Sequence, residues 1–212
     1  NSLSDSVYVN AVEGITEPFN LNNKNLLIKK YIEANGIEKI NNFFEFFDFD
    51  QRIIYSNKQK VSNVVNYSCN EEKEIFLKRR NVDYWIPFAN ESLGNTTLLN
   101  MLPAILHAVE KECILIIDEF SSALHNKLEE LIIKYFMKTS KFSQVFFVSH
   151  STNLLSNTLL RPDQIYSANF EDESGTHLKR FSSESPRESQ NLEKMYLSGI
   201  FDGLPNYKNN AR

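Results

Sequence analysis

The sequence predicts an α/β fold: a mainly parallel sheet flanked by helices, with a helical insertion or lid ahead of it. Three observations carry that expectation. "CILIID" (113–118) and "QVFFVSH" (144–150) are short, almost uninterrupted apolar runs, the pattern of central strands buried on both faces. Each run is preceded by a helix-period pattern, so helix, buried strand, helix, buried strand follow one another, as in a parallel sheet with helices on its faces. Both runs end in polar clusters, Asp118-Glu119 and Ser149-His150. In such sheets ligands sit beyond the carboxyl ends of the strands.

In order along the chain, residues 1–24 read as loop with one short strand at "SVYVNAV". Residues 25–47 predict two helices broken near Asn35 and Gly36, with Leu26, Leu27, Tyr31 and Ile32 on one apolar face and Ile37, Ile40, Phe43, Phe44 and Phe47 on another. The phenylalanine cluster reads as core packing or a helix docking face. Residues 51–90 hold short apolar pieces, "QRIIYS", "KVSNVVNYS", "EEKEIFLKRR" and "DYWIPFA", which predict strands of an antiparallel or mixed sheet. "NESLGNTTLLNMLPAILHAVEK" predicts a turn feeding a helix that buries Leu98, Leu99, Leu102, Ile105, Leu106 and Val109. Pro103 should kink or interrupt that helix unless it lies near its start. "SSALHNKLEELIIKYFMKTSK" predicts an amphipathic helix with Leu128, Leu131, Ile132, Tyr135 and Phe136 inward. A short helix at "STNLLSNTLL", a hairpin around Gly175, and a terminal helix with a Gly/Pro turn complete the chain. By this reading residues 1–50 end a helical insertion or lid, and residues 51–212 form the main domain.

Composition narrows the function classes. The 212 residues carry a formal net charge of -4 and 24% charged side chains, which does not advertise a general nucleic-acid surface. Lys78, Arg79 and Arg80 form the one dense basic run, either a solvated turn or a DNA contact. Every apolar run is far short of a membrane span. The opening "NSLSDSVYVN" has no secretory pattern, so the expected location is cytoplasmic. Cys69 and Cys113 read as reduced thiols. His107, His125, His150 and His177 include no HExxH, no zinc spacing joins the cysteines, and no G-x-S-x-G elbow occurs.

Asp118 and Glu119 then admit two readings. They cap the following helix, or Asp118 holds a divalent ion while Glu119 takes a proton from attacking water. His150, ending the next apolar strand, would contact a phosphoryl oxygen or position that water. At this point the chain resembles the carboxyl-terminal half of an ABC-type ATPase. More closely, it is similar to the bacterial AAA-like ABC ATPases of phage defence and abortive infection, relatives of the overcoming-lysogenisation-defect family. The resemblance covers about residues 84–205 and rests on five features in order. They are "ESLGN" (91–95) as signature segment, Ile114–Glu119 as Walker B, "SALH" (122–125) as D-loop, His150 as switch histidine, and the tail "SPRESQNLEKMYLSGIFDGLP".

The resemblance implies an ABC-type P-loop NTPase core, its carboxyl-terminal part, using ATP and Mg²⁺. Asp118 would support the metal, Glu119 would be the general base, and His150 would contact the γ-phosphate. Ser92, Gly94 and Asn95 would meet ATP bound on a partner subunit, and Ser122, Ala123, Leu124 and His125 would cross the interface of a homodimer or higher homo-oligomer. A defence effector, nuclease or toxin, is the implied protein partner. The chain departs from the pattern in two places. Asn95 stands where this branch carries Thr, and no G-x-x-x-x-G-K-[ST] phosphate loop occurs, the six glycines being dispersed. The expectation is that the half bearing that loop is missing from this chain or supplied by another polypeptide; a degenerate, non-hydrolysing relative is the third reading. Two rivals share the fold, an ATP-gated scaffold holding a toxic effector and a DNA-clamping repair-type ATPase.

Overall fold

The chain's structure, a computed structural model, describes residues 6–10, 15–18, 27–57, 61, 63–64, 73–156, 158–171 and 175–204. Gly14, Leu26, Cys69 and most of the strand expected over 60–68 lie outside the described residues. The chain divides into two compact units, Asn1–His150 and Ser151–Arg212.

The first unit runs β1 (Val7–Asn10), β2 (Ile15–Pro18), α1 (Leu27–Asn35), α2 (Glu38–Phe46), β3 (Gln51–Asn57), β4 (Lys73–Arg79), β5 (Ile86–Pro87), α3 (Leu93–Lys111), β6 (Ile114–Asp118), α4 (Asn126–Thr139) and β7 (Gln144–Phe147). Its main sheet has the order β2-β1-β6-β7. β1, β6 and β7 are parallel, and β2 is antiparallel to β1. The fold is thus mixed α/β with a parallel core. The expected short strand near residue 7 is no loop decoration; it lies beside the central strand, with Val7 opposite Leu115 and Val9 opposite Ile117.

Register decides what faces what. Leu115 pairs with Val145 and Ile117 with Phe147, so with Val7 and Val9 they form one face. Ile105 of α3 and Ile132, Ile133 and Phe136 of α4 close over that face. The opposite face carries Tyr8, Ile116 and Phe146 in one row, with Asp118 beyond it. Here the expectation of strands buried on both faces needs correction: Phe146 is 58% and Val148 56% exposed. The helices stack on one side only, and no helix among the described residues of this unit shields those two side chains. β3, β4 and β5 form a separate antiparallel sheet, as the alternating pieces of 51–90 predict.

α1 and α2 break where expected. Gly36 takes φ +81 and its N–H donates to the Ile32 carbonyl at 2.8 Å, the left-handed stop that glycine reaches without strain. The phenylalanines of α2 are core: Phe43 and Phe44 are buried, and the Tyr135 ring of α4 lies 5.0 Å from Phe43. α3 passes through Pro103 without ending. An interior proline costs a helix about 3 kcal/mol, and the burial of Leu98, Leu99, Met101, Leu102, Ile105 and Leu106 offsets it. α4 begins at Asn126, so "SSAL" is loop, and its inward face includes Ile133 and the carboxylate-bearing Glu129 rather than Leu128.

Tyr31 of α1 is buried, and its hydroxyl finds no hydrogen-bond partner among the described residues. That burial, with Glu110 nearby, holds its pKa well above the usual phenol range. Removing an unpaired buried hydroxyl should help: Tyr31→Phe is expected to stabilise the protein by about 1 kcal/mol in urea titrations. A loss of stability would mean the hydroxyl is satisfied after all.

The second unit contains a 3₁₀ turn at Thr152–Leu155, the hairpin β8 (Tyr166–Glu171) and β9 (Gly175–Arg180), and α5 (Leu192–Leu197). Its core stacks Phe181 on Phe201, centroids 3.8 Å apart. Gly199, at φ +85, closes α5 with its N–H on the Tyr196 carbonyl. Among the described residues of the whole chain, no helix is long and apolar enough to cross a membrane.

Candidate nucleotide site

β6 delivers Asp118 to the carboxyl edge of the main sheet, and the chain turns at once. Glu119 takes φ +56, a left-handed conformation that side chains bigger than glycine adopt only when their surroundings impose it. What imposes it is on both sides. The Glu119 N–H donates to Asp118 Oδ1 at 3.0 Å, and the next residue, Phe120, is buried with its N–H on the Val148 carbonyl at 2.9 Å. Its ring meets Phe147 at 4.9 Å. The turn is therefore tied to the end of β7 by backbone and ring together.

β7 continues in register through Val148, whose N–H donates to the Ile117 carbonyl at 2.9 Å. That register brings His150 back over the turn, its Nε2 lying 3.8 Å from Glu119 Oε1. The two side chains are 83% and 41% exposed, so both reach solvent from the edge. Ser121 and Ser149 share a short hydroxyl–hydroxyl hydrogen bond beneath them. Asp118 Oδ2 accepts from the Tyr8 hydroxyl at 3.2 Å. Asp118 and Glu119, distant from His150 in sequence, thus share one edge of one sheet with it.

The "SALH" loop follows. The Ser122 N–H donates to the Glu119 carbonyl at 2.9 Å, Ala123 takes φ +60, and Leu124 is buried. His125 caps α4, its Nδ1 accepting from the Lys127 N–H at 3.2 Å. At the far side stands the "ESLGN" segment. Ser92 caps α3, its hydroxyl accepting from the Asn95 N–H at 3.3 Å. A Cβ on Gly94 would stand 3.0 Å from the Ala123 carbonyl oxygen, so only glycine fits without moving that loop. Ser92–Asn95 and Ser122–His125, predicted as separate contributors, are therefore packed together at Gly94 and Ala123.

The sequence reading gave three participants no role of their own. Tyr8 buttresses Asp118 from a four-residue strand, and the Val-Tyr-Val alternation at 7–9 is its only sequence signal. Phe120 anchors the turn. Glu91 binds the Arg79 guanidinium and the Asn95 amide, at 3.0 and 2.8 Å, and holds the start of α3. The basic run 78–80 is locally neutralised: Lys78 faces Asp83 at 3.9 Å, Arg79 faces Glu91, and Arg80 faces Asp48 and Asp50 at 2.8 and 3.1 Å.

Among the described residues no group of three or more His, Cys, Asp or Glu side chains could hold a metal by itself. A single strand-end carboxylate suits Mg²⁺ bound chiefly through phosphate oxygens and water. Asp118 fits that role, since each carboxylate oxygen accepts one hydrogen bond and keeps a lone pair.

A family model described as "AAA domain, putative AbiEii toxin, Type IV TA system" matches residues 14–156, which include Ser92–Asn95, Asp118, Glu119, Ser122–His125 and His150. No curated protein matches. Among solved structures, one from work described as "Structural biochemistry of ATP-driven dimerization and DNA stimulated activation of SMC ATPases" is 15% identical to this chain. That match covers 82% of this chain and 96% of the other, with a TM-score of 0.52, a likeness of fold.

Proposed function

Because the chain belongs to the AAA-domain family described as "putative AbiEii toxin, Type IV TA system", we propose that it carries the metal-and-water half of an ATP-hydrolysing site in an ABC-type dimer. The observation that carries this reading is the pairing of Glu119 with His150, 3.8 Å apart, at the strand edge that also ends in Asp118. A helix cap would explain an acid there. It would not explain a left-handed glutamate held against a histidine from the neighbouring strand.

In this mechanism Asp118 would hold Mg²⁺, its carboxylate steadied by the Tyr8 hydroxyl. Bound Mg²⁺ would supply charge neutralisation at the phosphates. Glu119 accepts the proton of the attacking water, and His150 holds the departing phosphoryl oxygen or the water by hydrogen bond. Ser92, capping α3, offers hydroxyl and backbone N–H groups at a helix amino terminus, where an anion is favoured. They would serve the ATP of the partner subunit, as Ser122 to His125 would cross to it. The phosphate loop comes from outside these 212 residues, which contain none. The exposed apolar row of Phe146 and Val148, beside Asp118, offers a surface for that half to cover.

ATP-driven dimerisation, described for the structural neighbour, supports the dimer. The family's association with toxins and TA systems supports a sensor or regulator in anti-phage defence that works with a toxic effector. α1 and α2 would then carry partner specificity, whereas β1 and β2, ahead of them in the chain, belong to the ATPase sheet itself. The neutralised basic run weighs against the DNA-clamping alternative.

The test uses the full-length protein. Composite sites need two chains, so ATP turnover per chain should rise with protein concentration and then level off. Nucleotide binding with no turnover at any concentration would replace this reading with the non-catalytic, ATP-gated scaffold.

A further inference from the structure

Glu91 precedes Ser92 and is set apart by its surroundings. Its side chain is 1% exposed, a rare position for a carboxylate. One oxygen, Oε2, accepts three donors: Arg79 Nη2 at 3.0 Å, the Ser92 N–H at 3.2 Å and the Asn95 amide at 2.8 Å. The other, Oε1, is buried and takes no hydrogen bond among the described residues. The carboxylate therefore depends on Arg79 for its counter-charge. Arg79 is the last residue of β4, across which Gln51 of β3 is paired. One side chain from the small sheet thus holds a carboxylate that in turn holds both the backbone and the N3 side chain of the α3 cap.

We infer that Arg79 and Glu91 are positioning residues that set Ser92 and the first turn of α3 for the partner subunit's nucleotide. The inference rests on the proposed role of Ser92 across the dimer. The division of labour follows from the bonds. Arg79 neutralises and fixes the carboxylate; Glu91 fixes the Ser92 N–H and the Asn95 side chain; and Ser92 Oγ is left to accept from the Asn95 backbone until a ligand competes for it. Asn95, where the resembled branch carries Thr, gains a purpose here, because an amide can donate to Glu91 from that position and still sit in the first turn. Arg79 is half-exposed and Glu91 is not, so removing Arg79 leaves a buried carboxylate uncompensated. With Arg79 gone, the Glu91 carboxylate must move or find water, and the Ser92 segment moves with it.

The pair should matter for joining two chains and not for loading one. In the full-length protein, Arg79→Ala is expected to weaken self-association driven by a non-hydrolysable ATP analogue about tenfold or more, read by sedimentation. Affinity of dilute protein for a fluorescent ATP analogue should stay unchanged. Arg79→Lys, which keeps the charge, should restore most of the association. Glu91→Gln keeps an oxygen for Ser92 and Asn95 but removes the charge, and should fall between. The double variant R79A/E91Q should lose no more than R79A, because both act through one contact. Additive losses, or loss of association equal in R79A and R79K, would overturn the inference. So would an R79A protein that associates normally while Ser92→Ala does not. If Ser92→Ala itself associates normally, the trans role of Ser92 fails first, and the positioning role with it. Unfolding by urea, run on each variant, separates misfolding from a positioning loss, and Glu91→Gln supplies the reading if R79A does not fold.

Discussion

Glu119→Gln in the full-length protein is expected to lower ATP turnover by about a hundredfold or more while nucleotide binding persists. The substitution is nearly isosteric, so the left-handed turn at φ +56 should survive, held by Phe120 and by the backbone bond to Asp118. What is lost is the proton acceptor. An amide cannot take a proton from water at neutral pH, and it no longer presents a negative charge to His150, 3.8 Å away. The same variant should accumulate the ATP-bound dimer, since association precedes chemistry and only chemistry is blocked. Turnover equal to that of the unsubstituted protein would remove Glu119 from the general-base role. Loss of nucleotide binding together with turnover would point to a structural role at the turn. Asp118→Asn separates the two carboxylates: it should lose the response to added Mg²⁺, whereas Glu119→Gln should retain it.

How much of this was legible in the chain depends on which distances a residue pattern can encode. β6, α4 and the break between α1 and α2 were readable because each is written locally, in an apolar run, a helical period or a glycine. Asp118, Glu119 and His150 were readable because strand ends in a parallel sheet point to one edge. The burial of β7 was misjudged for a physical reason. An apolar run shows that a strand can be covered on both faces, whereas cover depends on helices elsewhere in the fold, and Phe146 and Val148 are left exposed. Tyr8 was invisible for another. Its bond to Asp118 spans 110 residues, and a parallel pairing of a four-residue strand leaves no turn signature to announce it. The Arg79–Glu91 pair was hidden by its own chemistry. A charge in "KRR" and a charge in "ESLGN" each look solvated, and only the burial of the Glu91 carboxylate against a half-exposed Arg79 makes them one device.

The largest loss of stability should come from Phe120→Ala. The ring is 1% exposed and lies in the cluster of Ile105, Leu115, Ile117, Ile132, Ile133, Phe136, Val145 and Phe147, between the main sheet and α3 and α4. Truncating a buried phenylalanine typically costs about 3–5 kcal/mol, part from lost transfer energy and part from the cavity left behind. Relaxation to fill that cavity is restricted here, because the Phe120 N–H is bonded to the Val148 carbonyl and the Val148 N–H to the Ile117 carbonyl. Phe120→Leu should cost about 1.5 kcal/mol or less, since it refills most of the volume. Urea unfolding of the three proteins measures the difference, and a loss below about 1 kcal/mol for Phe120→Ala would show that the ring is not what closes this face. The functional consequence runs through geometry. Phe120 is the residue after Glu119, and a left-handed glutamate persists only while its neighbours hold it there. Once the ring is gone, Glu119 can relax to an ordinary conformation and turn its carboxylate away from His150. Phe120→Ala, at a temperature where it remains folded, should therefore lose turnover as well as stability, whereas Phe120→Leu should keep most of both. A folded Phe120→Ala protein with full turnover would show that Glu119 holds its position without the ring.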